Sequence, residues 1–127
     1  MKGFADKLRN RFMNGIPEGL CQEGREIIET ITDDFSAPAS WGICDVAGVE
    51  GGVTFFVSGI LYDGRVDVRR NSGMYEVTIG DGDSELTRTG IRREDLTEEI
   101  DRMVGRNDLH TEEALEAYDN PLMGGYL

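Results

Sequence analysis

The chain has 127 residues, 39% hydrophobic and 30% charged, with 25 acids against 13 bases and a net charge of −12. That length and balance suit a single folded domain with its own core rather than a disordered chain. The sign of the charge disfavours direct contact with nucleic acid or an anionic membrane surface. No apolar run is long enough to span a bilayer, and the N-terminus lacks the apolar stretch of a signal peptide. Cys21 and Cys44 make neither a disulfide framework nor a zinc pattern. They read as reduced, partly buried thiols of a cytoplasmic protein.

Residues 2–13 read as a helix. Phe4, Leu8 and Phe12 recur at helical spacing, and Lys2, Lys7, Arg9 and Arg11 take other positions. Asn14-Gly15 supplies a stop. A basic helix of this kind suits a membrane surface, but the apolar stripe favours a core helix whose bases meet the protein's own acids. Pro17 is placed to open a second helix over 18–35. Its stripe is Leu20, Gly24, Ile27, Ile28, Ile31 and Phe35, and Ala37-Pro38-Ala39 breaks it.

From Trp41 to Ile79 the pattern is four short strands joined by glycine turns, with a weaker fifth strand from Leu86 to Ile91. Asp63-Gly64 is a two-residue hairpin signal that pairs Leu61 with Val66 and Gly59 with Val68. Keeping the valines on one face sets the next hairpin: Val68 opposite Val77, Val66 opposite Ile79, Arg69 opposite Glu76, and Ser72-Gly73 at the tip. Gly51-Gly52 closes the first hairpin and pairs Val46 with Val57, Ile43 with Ile60 and Trp41 with Tyr62. One face then carries Val46, Phe55, Val57, Leu61, Val66, Val68, Tyr75, Val77 and Ile79 toward the helices. The other carries Trp41, Ile43, Ala47, Phe56, Ile60 and Tyr62 beside Arg65, Asp67, Arg69, Glu76 and Thr78. Its apolar half is too large to leave bare, so something is expected to cover it.

Residues 95–104 form a helix with Asp95 as N-cap, Glu98 as capping-box partner and a buried stripe of Leu96, Ile100, Met103 and Val104; Gly105 ends it. Thr111 caps a short helix over 112–118 with Leu115 and Tyr118 on one side. Asp119–Leu127 is either a tail or an arm that docks through Leu122, Met123 and Tyr126. The expected fold is α+β. Two N-terminal helices precede an antiparallel meander of four or five strands over about 41–91, followed by C-terminal helices packed on one sheet face. Residues 1–118 make one domain, with 119–127 as the tail or arm.

Motifs for chemistry are lacking. Asp81-x-Asp83-x-Glu85 opens like a calcium loop, but Leu86 and Arg92 stand where the glycine and the bidentate glutamate belong, so it reads as a polar hairpin tip. The lone His110 sits in a polar stretch with no nucleophile assigned to it. Cys44 faces the helix side in this register, which favours burial over reactivity. The glycines of 48–52 precede a strand and lack the following Lys-Ser/Thr of a phosphate loop. The expectation is therefore a small acidic, non-enzymatic binding or accessory protein with no catalytic residue, cofactor or metal. Its contact surface is Trp41, Ile43, Phe56, Ile60 and Tyr62, engaged by another protein or a second copy unless the first helix or the C-terminal arm covers it. The alternative is a nucleic-acid-mimicking inhibitor of the anti-restriction or anti-CRISPR type. Between Glu94 and Asp119 the only Lys or Arg residues are Arg102 and Arg106. Glu94, Glu98, Glu99, Asp101, Glu112, Glu113 and Glu116 would line exposed helix faces at phosphate-like spacing. Placement of acids near helix N-termini explains the same residues without any partner.

Overall fold

A computed structural model describes residues 2–80, 83–105, 115, 116 and 118. The chain is α+β. Helices α1 (Lys2–Asn14), α2 (Gln22–Ile31) and α3 (Ser36–Trp41) precede β1 (Cys44–Val49), β2 (Gly52–Ser58), β3 (Asp63–Asn71), β4 (Met74–Ile79) and β5 (Leu86–Ile91). A 3-10 turn over Arg93–Asp95 then leads into α4 (Leu96–Val104). The five strands form one antiparallel sheet in the order β1-β2-β3-β4-β5.

The helical stripes are buried as their spacing requires. Ile27, Ile28 and Ile31 of α2 and Leu96, Ile100, Met103 and Val104 of α4 join one core with Val53, Phe55, Val57, Val66, Val68, Tyr75, Val77 and Ile79 from the sheet. Helix α2 lies against β2 and β3, and α4 against α2, α3 and β4. On α1, Leu8 is buried while Phe4 and Phe12 pack against the core from its margin. The Phe12 ring lies 5.4 Å from Phe35, which meets Tyr118 edge-on at 5.2 Å. Arg9 of α1 donates from Nε to the Thr32 carbonyl at 2.8 Å. That bond puts a cation on the C-terminal end of α2, where the helix dipole favours one.

Helix boundaries depart from the sequence expectation in three places, and three helices rather than two precede the sheet. Pro17 does not open α2; the helix begins after Cys21, whose Sγ accepts from the Gly24 N–H at 3.4 Å as N-cap. At its far end α2 stops at Ile31, and Thr32 turns its hydroxyl back to the Ile28 carbonyl at 2.6 Å. Ala37-Pro38-Ala39 was expected as a breaker but lies inside α3. Proline is third in that helix, where its missing N–H belongs to the orphan donors of the first turn. Gly42 closes α3 in the left-handed region (φ 64), and Ile43 N–H reaches the Pro38 carbonyl at 3.2 Å. Trp41 is therefore helical, and Ile43 lies in the link to β1.

The β3–β4 register is as expected, with Val68 opposite Val77, Val66 opposite Ile79 and Arg69 opposite Glu76. The β2–β3 pairing is not. Asp63-Gly64 belongs to β3, Val66 faces Phe55 and Val68 faces Val53. The partner of Val66 has moved from Leu61 to Phe55, an even number of residues, so Phe55 and Val57 still point inward. Leu61 does not; it stands at a loop tip, exposed. In the first hairpin Glu50-Gly51 forms the turn, and Ala47 pairs with Thr54. A bulge between Cys44 and Ala47, with Asp45 at φ 53, turns Cys44 to the outer face opposite Phe56. Cys44 is exposed rather than buried on the helix side. Asp95 does precede α4, but its carboxylate takes Arg92 Nε at 3.2 Å and makes no capping bond.

His110, Thr111 and the segment 119–127 lie outside the described residues. Leu115 is buried, and the Tyr118 hydroxyl donates to the Ile43 carbonyl at 2.8 Å.

Candidate functional site

The outer sheet face, turned away from the core, carries the exposed Phe56 among polar side chains. Its side chains fall in rows across the strands. Cys44, Phe56 and Arg65 form the first row; Ala47, Thr54, Asp67, Thr78 and Thr87 the second; and Arg69 and Glu76 the third. Short side chains in the middle row between longer ones make a trough of about 1060 Å³, lined also by Tyr62, Asp63, Glu85 and Leu86.

The polar side chains of this face are internally bonded. Thr54 Oγ1 donates to the Val66 carbonyl at 2.9 Å and accepts from Arg65 Nε at 2.8 Å. The hydroxyls of Thr78 and Thr87 are 2.9 Å apart. Asp67 holds both arginines: Arg69 through a two-pronged pair at 2.8 and 3.2 Å, Arg65 at 3.9 Å. The carboxylate beside Arg69 pushes that guanidinium's pKa further up, so it is a fixed cation. By contrast, Asp63 and Glu85 at the mouth are exposed and pair with no described residue.

One end of the trough is built by the loop Gly59–Tyr62. Ile60 N–H donates to the Gly105 carbonyl at 2.9 Å, and Leu61 and Tyr62 N–H to the Val104 carbonyl at 2.9 and 3.1 Å. The loop thus satisfies carbonyls left orphaned at the end of α4. A Cβ on Gly59 would sit 2.1 Å from the Val104 carbonyl oxygen, so the approach is close. Within the loop Gly59 N–H meets the Tyr62 carbonyl at 2.9 Å, and the Tyr62 hydroxyl donates to the Arg65 carbonyl at 2.6 Å. Ile60 and Leu61 are consequently held on a fixed backbone while 58% and 72% exposed. Phe56 on the outer face is 43% exposed, and Leu86, which pairs with the inward-facing Ile79 on the edge strand, is 48% exposed.

The five residues expected to share one apolar surface are divided by this geometry. Phe56 and Tyr62 line the trough and Ile60 is exposed on the loop bonded to the end of α4, but Trp41 and Ile43 are 0% exposed in the core. Trp41 Nε1 donates to Asp101 Oδ1 at 2.8 Å and ties α3 to α4. Leu61 and Leu86 replace them at the surface. Alternation could not place Leu61, because it lies where the ladder has ended.

The acidic residues are likewise dispersed in role. Glu98 and Glu99 share Arg102 at 2.8 and 3.0 Å, Glu94 lies 3.5 Å from Arg92, and Asp101 accepts the indole. Glu116 is exposed; Glu112 and Glu113 lie outside the described residues. Among the described residues no group of three or more His, Cys, Asp or Glu could hold a metal ion, and no helix is long and apolar enough to cross a membrane. The Cys44 thiol pKa is raised, first by partial burial and then by the Asp45 carboxylate. That lowers its thiolate fraction at neutral pH, the reverse of an activated nucleophile. Comparisons with protein families, with curated proteins and with solved structures find no match to this chain.

Proposed function

We propose that this protein is a small acidic, non-enzymatic binding protein that contacts another protein through the outer face of its sheet. The observation that carries the reading is the exposure of Ile60 and Leu61 on a hydrogen-bonded loop whose Tyr62 lines the trough together with the exposed Phe56. Fully burying a Leu, Ile or Phe side chain stabilises by about 1.5–3 kcal/mol. Covering the exposed parts of Phe56, Ile60 and Leu61 is thus worth about 3–5 kcal/mol before the costs of association. A backbone already fixed in place reduces those costs, because little ordering remains for the partner to impose.

The test is affinity capture from native lysate with the tagged protein, washed at low and then high salt, with mass spectrometry of what remains. Wild type and Glu98→Lys/Glu99→Lys should retain the same partner at high salt, and Phe56→Asp/Leu61→Asp should lose it. The opposite pattern, with loss on reversal of the α4 acids and at high salt but none on the apolar substitutions, would replace this reading with nucleic-acid mimicry. A protein that retains nothing, stays monomeric by light scattering and binds no apolar dye overturns the contact surface altogether.

A further inference from the structure

We infer that the occupant of the trough is a cationic, apolar-anchored polypeptide segment: Lys or Arg residues flanking at least one large apolar side chain. The inference rests on the contact surface proposed above and adds the chemistry of its partner. Charge within the trough decides the sign. Arg69 is hydrogen-bonded to Asp67 through both oxygens, while Arg65 gives its Nε to Thr54 and lies 3.9 Å from the same carboxylate, so in the lining the carboxylates of Asp63, Asp67 and Glu85 outnumber the guanidiniums of Arg65 and Arg69. Asp63 and Glu85 are exposed at the mouth without a partner among the described residues. The net charge of the lining is therefore negative, and its two carboxylates without a described partner share the trough with the exposed Phe56.

The charge of the whole chain argues the same way. At −12, a second copy would bring like charge against like at the same face. Exposed like charges repel and slow encounter, whereas a basic segment is steered toward the site. An acidic segment would meet Asp63 and Glu85, and to engage Arg69 it would have to break the pair with Asp67. A purely basic segment would gain only the exposed ion pairs, each worth little in water. The apolar anchor supplies most of the affinity and the lysines or arginines supply the choice of partner.

The experiment is selection from a random dodecapeptide display library against the full-length protein at low salt. The recovered peptides are then measured against purified variants. Enriched peptides should combine a Phe, Leu, Ile, Trp or Tyr with an excess of Lys and Arg. Their affinity should fall about tenfold or more for Asp63→Lys/Glu85→Lys, from the loss and reversal of two exposed pairs. It should also fall for Phe56→Asp, and stay within about twofold for Glu29→Lys, a charge control on α2, which packs on the other face of the sheet. Peptides that depend on Phe56 but carry no basic excess, or that ignore the Asp63/Glu85 reversal, overturn the cationic partner and leave the contact surface standing. Peptides indifferent to Phe56→Asp overturn both. Unchanged circular dichroism of each variant guards against loss through unfolding. A Phe56-dependent dimer in place of peptide binding would make the occupant a second copy and refute the inference.

Discussion

Trp41 gives the sharpest test of the fold, because its two candidate positions differ completely. On the outer face it would be bathed in solvent; in the structure it is 0% exposed and its Nε1 is bonded to Asp101 Oδ1 at 2.8 Å. Trp41→Phe removes that bond and leaves part of the indole volume empty. A hydrogen bond to a charged acceptor contributes about 1.5–3 kcal/mol. The cavity cost is a fraction of the ~3–5 kcal/mol of a full Trp→Ala truncation, since a ring remains. Together they predict a loss of about 2–4 kcal/mol, measured by urea unfolding followed by circular dichroism, at unchanged m-value. For a domain of this size that corresponds to a fall in Tm of roughly 8–16 °C. Trp41 is also the sole tryptophan, so its fluorescence reports one site. The native protein should emit at short wavelength and resist acrylamide quenching, with both properties lost in urea. Quenching of the native protein as efficient as that of the unfolded chain, or a Trp41→Phe loss below about 0.5 kcal/mol, would refute the burial and the α3–α4 tie it makes.

Further outcomes follow from other contacts. Gly59→Ala should destabilise by about 1–3 kcal/mol in chemical denaturation, because its Cβ would lie 2.1 Å from the Val104 carbonyl oxygen and force the loop off the end of α4. A loss within 0.5 kcal/mol would show that the loop is free to move. The exposed Cys44 should alkylate more slowly at neutral pH than a free thiol, since burial and Asp45 raise its pKa, and Asp45→Asn should speed it up. Desolvation pushes the Tyr118 phenol up to about 12 from its ordinary 10. Between those values the folded state binds more protons than the unfolded one, so stability should fall as pH rises through 10 toward 12. Tyr118→Phe should flatten that part of the stability–pH curve, and an unchanged slope would show the hydroxyl to be solvated. Arg65→Ala removes the donor to Thr54 on the outer face but leaves the Asp67–Arg69 pair intact. The change in unfolding free energy should stay below about 1 kcal/mol, as for a partly exposed hydrogen bond.

Much of the fold follows from local pattern. The period of Ile27, Ile28 and Ile31 and that of Leu96, Ile100, Met103 and Val104 placed two buried helix faces, because burying an apolar stripe is what stabilises a short helix. The β3–β4 hairpin was legible residue by residue, since Ser72-Gly73 and the Val66/Val68/Val77/Ile79 alternation agree on one register. Where two local signals agree, a slip costs the whole face.

What the chain sequence could not decide by itself lies where remote groups compete with local preference. Asp63-Gly64 has the chemistry of a tight turn, yet the turn forms earlier, because the N–H groups of Ile60, Leu61 and Tyr62 satisfy carbonyls at the end of α4, far along the chain. Trp41 and Ile43 alternate as strand residues do, yet Gly42 ends a helix there and sends both into the core. One bulged residue then turns Cys44 outward. Composition and periodicity thus determined that there is an acidic α+β domain with one buried sheet face. Only the tertiary structure decided which apolar side chains remain on the other face, because a strand's end is set by what the backbone beyond it can bond.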